Sequence, residues 1–474
     1  MRVGLAARRG LGRLTPEPLV IAALLTALVA AASFVWVVRA GAGASGPALI
    51  ELLERWRGGQ GLWGLLSFAM QASLMLVLGS ALAATPPLRR LLRWLVGLPR
   101  GARALVAMTA CVSIVAALLN WSLGLVCGAL FARGAGEEAA RRGWRLDYPL
   151  LCAAGYAGMM TWHGGLSGTA PLKATNPRDT VEVLGAALAA EVGTIPLSES
   201  LFSWLNLAVS GGLLILGPLI FAAMTPREGE DPGARSIPIG MADEAGLMGH
   251  VPAAGSEDPA LGRLERSRVI TWLLAAPMIA ALVLFGSAQG WAALDLNTVN
   301  LGLWAAALLL HGRPDRFVAA CEAGIRGCAG IMLLFPLYAG MMGLLAASGL
   351  SAALAGLFAD VPGRLFTAAT FASAGLLNLF VPSGGGQWAL QGPIVIEAAL
   401  ARGVDPGAAM MAVAYGDQWT NMLQPFWAAP LLAITGARAR EIAGYCAVWM
   451  ALGGLWIVGV LLAWGTGSPG AGSG

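Results

Sequence analysis

The stretch from Asn378 to Pro430, NLFVPSGGGQWALQGPIVIEAALARGVDPGAAMMAVAYGDQWTNMLQPFWAAP, constrains this chain more than any other. Three consecutive glycines, Gly384, Gly385 and Gly386, interrupt one apolar span, where a helix loses roughly 1 kcal/mol per glycine relative to alanine. The next span carries Asp417, Gln418, Asn421 and Gln424 at its centre. Inside a bilayer such groups are expensive, and irregular backbone survives only where protein or a watery cavity satisfies it. Broken spans of this kind point to a binding site at membrane depth.

The bilayer is itself an inference from composition. The 474 residues are 57% hydrophobic and 12% charged, with a mean hydropathy of +0.71. A water-soluble globule carries about 25% charged residues, so the chain is expected to be a polytopic membrane protein. The six cysteines lie in or beside apolar segments without a CxxC pair, and read as core residues rather than disulfides or a metal site. The arginines are spread over loops, so no nucleic-acid-binding face is expected.

Residues 1–18 are basic and are expected on the cytoplasmic side, ahead of an apolar run from Leu19 to Val38 that is too long for a signal-peptide core. An amphipathic piece with Glu51, Glu54, Arg55 and Arg57 follows, then a span at 61–84 and a loop marked by Arg89, Arg90, Arg93, Arg100 and Arg103. Residues 102–134 are apolar but interrupted at Asn120-Trp121-Ser122, and 147–172 are broken at Thr161-Trp162-His163-Gly164-Gly165. A span at 201–223 ends the first half, 19–223, and residues 224–268 form a polar linker expected on the cytoplasmic side, with no assigned structure. A connecting span lies within 269–297. The second half, 298–464, has spans at 298–311 and 327–348, an interrupted segment at 363–401, a broken span at 406–434 and a last span at 441–464. Residues 465–474 read as a flexible tail.

The halves share a pattern. Ala-Ala-Leu-Leu-Asn ending at Asn120 matches Ala-Gly-Leu-Leu-Asn ending at Asn378, 258 residues on. Tyr156, Thr161, Pro171 and Leu172 match Tyr415, Thr420, Pro430 and Leu431 at an offset of 259. If each interrupted segment enters and leaves by one side, an odd number of spans separates the halves, and the second half is inverted. With the N-terminus cytoplasmic, this layout puts 23 of the 30 Lys and Arg residues inside, as the positive-inside rule asks. Counting the interrupted segments as full spans scrambles that asymmetry. The expected fold is therefore all-α and polytopic, with two inverted repeats, each holding a re-entrant helical hairpin and a broken transmembrane helix.

Half-helix N-termini in such a site offer N–H groups to an anion, and unwound carbonyls with Asn, Ser and Thr oxygens suit a hard cation such as sodium. The expected substrate-binding residues are Asn120, Trp121, Ser122, Trp162, His163, Ser167, Thr169, Asn378, Ser383, Gly384, Gly385, Gly386, Gln387, Trp419, Thr420 and Asn421. Asn120, Asn378, Asp417 and Thr420 are the expected residues for a coupling ion, sodium or a proton, with no other cofactor. Asp417 is the one acid inside a broken span, and its alternative role is to cap a half-helix or pair with a buried donor. Trp388 and Trp427 join the other three tryptophans beside the breaks as walls for a short alkyl chain.

The segments PSGGGQWALQGP, GDQWTNMLQPFWAAPLL, LNWSLGL and YAGMMTWHGGLSGTAPL resemble the short-chain fatty acid transporter family, the bacterial permease type associated with acetoacetate and butyrate uptake. The resemblance runs over about 17–464. It implies a secondary transporter of the bacterial inner membrane rather than an enzyme, within the superfamily of paired re-entrant hairpins that includes sodium–dicarboxylate symporters. It also implies a scaffold domain, a moving transport domain, a homodimer and an elevator-like motion. A dicarboxylate or another small anion is the alternative cargo; an intramembrane enzyme with Asp417 and His163 as acid and base, or a channel, is the alternative class.

Overall fold

A computed structural model describes residues 18–39, 45–59, 61–226, 259–291, 294–350, 353, 361–381 and 383–465. The basic N-terminus, most of the 224–268 linker and the tail beyond Gly465 lie outside the described residues.

Among the described residues every regular element is helical. The first half runs α1 Pro18–Arg39, α2 Ser45–Arg57, α3 Leu66–Ala83, α4 Pro86–Gly97, α5 Ala102–Leu119, α6 Trp121–Arg141, α7 Tyr148–Tyr156, α8 Thr169–Ala174, α9 Pro177–Leu184, α10 Ala186–Val192 and α11 Trp204–Met224. After α12 Pro259–Glu265 and α13 Arg268–Ala288 come α14 Leu296–His311, α15 Pro314–Ile325, α16 Ala329–Ser348, α17 Gly363–Asn378, α18 Gly384–Leu400, α19 Pro406–Thr420, α20 Pro425–Thr435 and α21 Ala439–Gly465. Seven of them (α1, α3, α5, α11, α13, α16 and α21) are long and apolar enough to cross a membrane, and α14 is a shorter apolar helix.

Four stretches differ from the sequence expectation. The arginine-marked loop after the second span is the helix α4, because Leu88, Leu92, Leu95 and Val96 share a face that packs on the core. Residues 173–200 and 313–326, without assigned structure in the sequence reading, hold α9, α10 and α15; Asn176 and Pro177 start α9, Pro314 starts α15, and α10 follows the turn at Gly185. Part of the linker is also ordered, as α12.

Both interrupted segments fold back on themselves. Between α5 and α6 only Asn120 is extended, and its side-chain oxygen caps α6 by accepting from Ser122 N at 3.0 Å and Leu123 N at 3.1 Å. The two ends meet again where Arg142 donates to the carbonyls of Pro99 and Gly97 at 2.9 and 3.1 Å. In the second half, Ser383 caps α18 through Gly386 N at 3.2 Å, and Gln387 and Gln391 reach back to Ala374 O and Ser373 Oγ on α17. The far ends close with the Arg402 guanidinium over the Phe366 ring at 5.7 Å.

Both broken spans are broken as expected. After α7 the chain makes 3₁₀ turns at Ala157–Met160 and Trp162–Gly164 before α8 resumes, and after α19 a 3₁₀ turn at Asn421–Leu423 leads to α20. Their freed backbone groups are met by side chains from the other break: Tyr156 OH donates to Asn421 O at 2.9 Å, and Gln418 Oε1 accepts from His163 N at 3.0 Å. Helix α19 is enclosed along almost its whole length, and at Gly416 a Cβ would lie 2.4 Å from Phe371 O, so only glycine lets α17 pack this closely.

Candidate functional site

The first break contributes His163 and the second Asp417, and the fold brings them together. His163 Nδ1 lies 2.6 Å from Asp417 Oδ2, with both side chains buried. Ala170 N, at the start of α8, donates to His163 Nε2 at 3.0 Å. A ring nitrogen that accepts an amide proton carries none of its own, so the neutral ring holds its proton on Nδ1 and donates it to the carboxylate. Trp162 stacks on the imidazole, with centroids 4.3 Å apart and planes 16° apart. His163 is thus a positioning group for Asp417.

Helix α18 starts against this pair. A Cβ placed on Gly384 would lie 2.9 Å from His163 Cε1 and from Trp162 Cη2, and 3.4 Å from Asp417 Oδ2. The positive end of the α18 dipole therefore faces the carboxylate and the space beside it. A narrow apolar cavity of about 10 Å³, room for about one water, is lined there by Phe68, Ala72, Met75, Trp121, Met159, Trp162, Thr169, Gly384 and Trp427 among others. Trp121 and Trp427 meet edge-on at 5.3 Å, and Phe335 joins Trp427 to Phe68. Trp162 Nε1 is buried and, among the described residues, has no hydrogen-bond partner.

The narrow cavity adjoins a larger one. Phe68, Gln71 and Leu296 line both it and a polar vestibule of about 750 Å³, bordered by Lys173, Asn176, Arg178, Asp179, Glu182, Asp295 and Asn297. Gln71 Nε2 donates to Asn297 Oδ1 at 2.9 Å across the shared neck. Burial pushes the Asp179 carboxyl up, Lys173 opposes this, and Glu182 and Asp295 add to it.

The remaining expected residues divide by role. Asn378 donates from Nδ2 to Asp417 O at 2.7 Å, to Thr420 Oγ1 at 3.0 Å and to Asn421 Oδ1 at 2.9 Å, and its buried Oδ1 has no partner among the described residues. Gln387 Oε1 and Gln424 Oε1 are likewise unpartnered. Asn120, at the matching tip, has the opposite group spare: Oδ1 is used in capping and, among the described residues, Nδ2 has no partner. It offers a donor, which suits an anion. Ser167 Oγ accepts from Trp121 N at 2.9 Å and fixes the tip to the break. Ser122 is tied to Met75 O at 2.7 Å and to Asn120, a structural role. Trp419 is not in the pocket; its Nε1 donates to Met450 O at 2.8 Å and its ring packs 4.8 Å from Phe371. Trp388 also lies outside the cavity lining, buried on α18. Sequence reasoning missed Phe68, Met75, Met159 and Leu296, whose apolar side chains carry no signal of their own; Gln71, a lone amide within SFAMQASLM, was the one available signal.

Removing the His163 ring strands the buried Asp417 Oδ2 and the Ala170 N–H. Each orphaned group costs about 1–3 kcal/mol. His163→Ala is expected to lower the unfolding free energy of the detergent-solubilised protein by about 3 kcal/mol in denaturant titration, whereas a loss within about 0.5 kcal/mol, the ordinary surface-substitution range, would show the bond to be dispensable.

Helices of membrane-spanning length, folded-back segments and two interlocked broken helices define a membrane-transporter fold. The crystal structure of the Alcanivorax borkumensis YdaH transporter, described as having an unusual topology, has this fold: the match covers 95% of this chain and 98% of that one at a TM-score of 0.52 and 17% identity. The family model for short chain fatty acid transporters matches residues 1–463. An Escherichia coli K12 protein named "Putative short-chain fatty acid transporter" is 39% identical over 96% of this chain and 98% of its own length. A Haemophilus influenzae protein of the same name is 37% identical over 91% of this chain and 92% of its own. The chain belongs to the short-chain fatty acid transporter family.

Proposed function

We propose that this protein is a secondary active symporter that carries acetoacetate- or butyrate-like monocarboxylates across the bacterial inner membrane, driven by a cation gradient. The observation that carries this reading is the buried His163–Asp417 pair beside an aromatic cavity at the start of α18. The substrate carboxylate sits at the α18 N-terminus, within reach of the unpartnered Trp162 Nε1, and its alkyl chain lies against Trp121, Trp427, Met75 and Met159.

Coupling follows from charge. Two like unit charges about 6 Å apart repel by about 3 kcal/mol at an effective dielectric of 20, so an anion beside an ionised Asp417 binds about 100-fold more weakly. A cation taken up with the anion removes that penalty. A proton would reside on Asp417 itself; sodium would draw on the spare carbonyl oxygens of Asn378, Gln387 and Gln424. In this reading the folded-back segments are re-entrant hairpins, the halves are inverted repeats, and the hairpins move with the broken helices as an elevator-like transport domain within a homodimer, the N-terminus being cytoplasmic. An enzymatic role would need a nucleophile or a second buried acid beside the pair. Among the described residues, no group of three or more His, Cys, Asp or Glu residues could hold a metal ion.

Solute counterflow in proteoliposomes tests the cargo. Vesicles preloaded with butyrate are expected to take up labelled butyrate in exchange, with acetoacetate competing and succinate not competing. No butyrate exchange, with labelled succinate exchanged into succinate-loaded vesicles instead, would assign the fold a dicarboxylate cargo.

A further inference from the structure

The amphipathic helix α4 has a second face that the packing leaves uncovered. It starts three residues after α3, a helix of membrane-spanning length, and buries Leu92 against the core. Beside the buried face, Leu91 and Trp94, with Leu98 at the helix end, are 46%, 61% and 46% exposed. Arg90 and Arg93 on α4, and Arg100 just past its end, are exposed and, among the described residues, without an acidic partner. The surrounding charge has one sign: residues 86–103 and 133–145 together hold nine arginines against two glutamates.

We infer that α4 lies in the bilayer surface and that its arginines bind the headgroups of anionic phospholipids. The apolar stripe with a tryptophan at its centre fits the boundary between headgroups and acyl chains, and the flanking guanidiniums complement phosphate at the same depth. A soluble protein partner does not fit, because α4 begins where the membrane span ends. The lipid also has a route to the transport machinery. The carbonyls of Gly97 and Pro99, at and just after the C-terminal end of α4, are held by Arg142 at the end of α6, the hairpin arm that begins at Asn120 and Trp121. A headgroup that immobilises α4 thereby fixes the base of the first hairpin. The inference needs only that α3 spans the bilayer, and not the choice of cargo.

The test is thermal unfolding of the purified full-length protein in mild detergent, titrated with phosphatidylglycerol or phosphatidylcholine. The wild type is expected to be stabilised by phosphatidylglycerol at concentrations where phosphatidylcholine has little effect, and to lose the difference in high salt. Each arginine near an anionic surface contributes about five-fold in lipid affinity, so the triple variant Arg90→Gln/Arg93→Gln/Arg100→Gln should need on the order of 100-fold more phosphatidylglycerol for the same shift. An unchanged lipid titration in the triple variant overturns the assignment, as does a wild type that does not distinguish the two lipids. If the triple variant does not fold, the pairwise variants decide by the same readout, and Trp94→Ala should weaken the response to both lipids while keeping the preference for the anionic one.

Discussion

Asp417→Asn is expected to abolish gradient-driven accumulation while the protein keeps its fold. Asparagine has nearly the same shape as aspartate, and its Oδ1 can still accept the proton that His163 Nδ1 donates at this position. What disappears is the charge. Without it, binding the anion no longer requires a cation, and the link between the two fluxes is lost. Accumulated butyrate in proteoliposomes should fall to about the external concentration, because an uncoupled carrier only equilibrates its substrate whatever the ion gradient. Exchange of labelled for unlabelled butyrate should survive and lose its dependence on the coupling ion. Accumulation at the wild-type level in a folded Asp417→Asn protein would remove Asp417 from the coupling step.

Gly384→Val attacks the same centre from the backbone. Even a single Cβ would stand 2.9 Å from His163 Cε1 and Trp162 Cη2, inside ordinary contact distance. Neither ring can give way: Trp162 is stacked on the imidazole, and the imidazole is held at both nitrogens. Valine adds two methyl groups to that conflict and brings a β-branched side chain into the cavity that Gly384 lines. Overpacking of this kind costs typically about 1–3 kcal/mol in stability. The larger effect is on transport, because α18 must withdraw from the His163–Asp417 pair and carry its N-terminus away from the proposed anion position. Uptake should fall at least about 100-fold, with a smaller loss for Gly384→Ala, since a shift of about 1 Å at a positioning element can cost that much. Transport by Gly384→Val within about two-fold of wild type would place the substrate elsewhere.

Much of this arrangement is legible in the sequence, for a definite reason. Polar residues and glycine triplets in apolar spans are costly, so Gly384–Gly386, His163 and Asp417 stood out against a plain background. The charge distribution over loops allowed the folded-back reading of 102–134 and 363–401, and Arg142 and Arg402 do close those segments at their bases. The pairing of His163 with Asp417 was not legible. They lie 254 residues apart, and the sequence shows only that both sit in breaks. The matched asparagines misled in one respect. Asn120 caps the helix that follows it directly, while Asn378 ends its helix and leaves that task to Ser383, so the same residue at the same repeat position has opposite groups free. Trp419 misled for a related reason. It adjoins the break in sequence, but its helical position turns it toward α21, where Met450 O takes its indole proton. Amphipathic α4 was read as a loop because its arginines outweighed the leucine spacing that buries Leu92.

The measurement that tests the account most directly is labelled butyrate uptake into proteoliposomes of the purified full-length protein, with sodium and proton gradients imposed separately. Saturable accumulation driven by one of the two gradients, and lost in Asp417→Asn, is the expected result. Uptake that equilibrates without accumulating under either gradient, from protein verified as folded, would contradict cation-coupled symport and with it the role assigned to the His163–Asp417 pair.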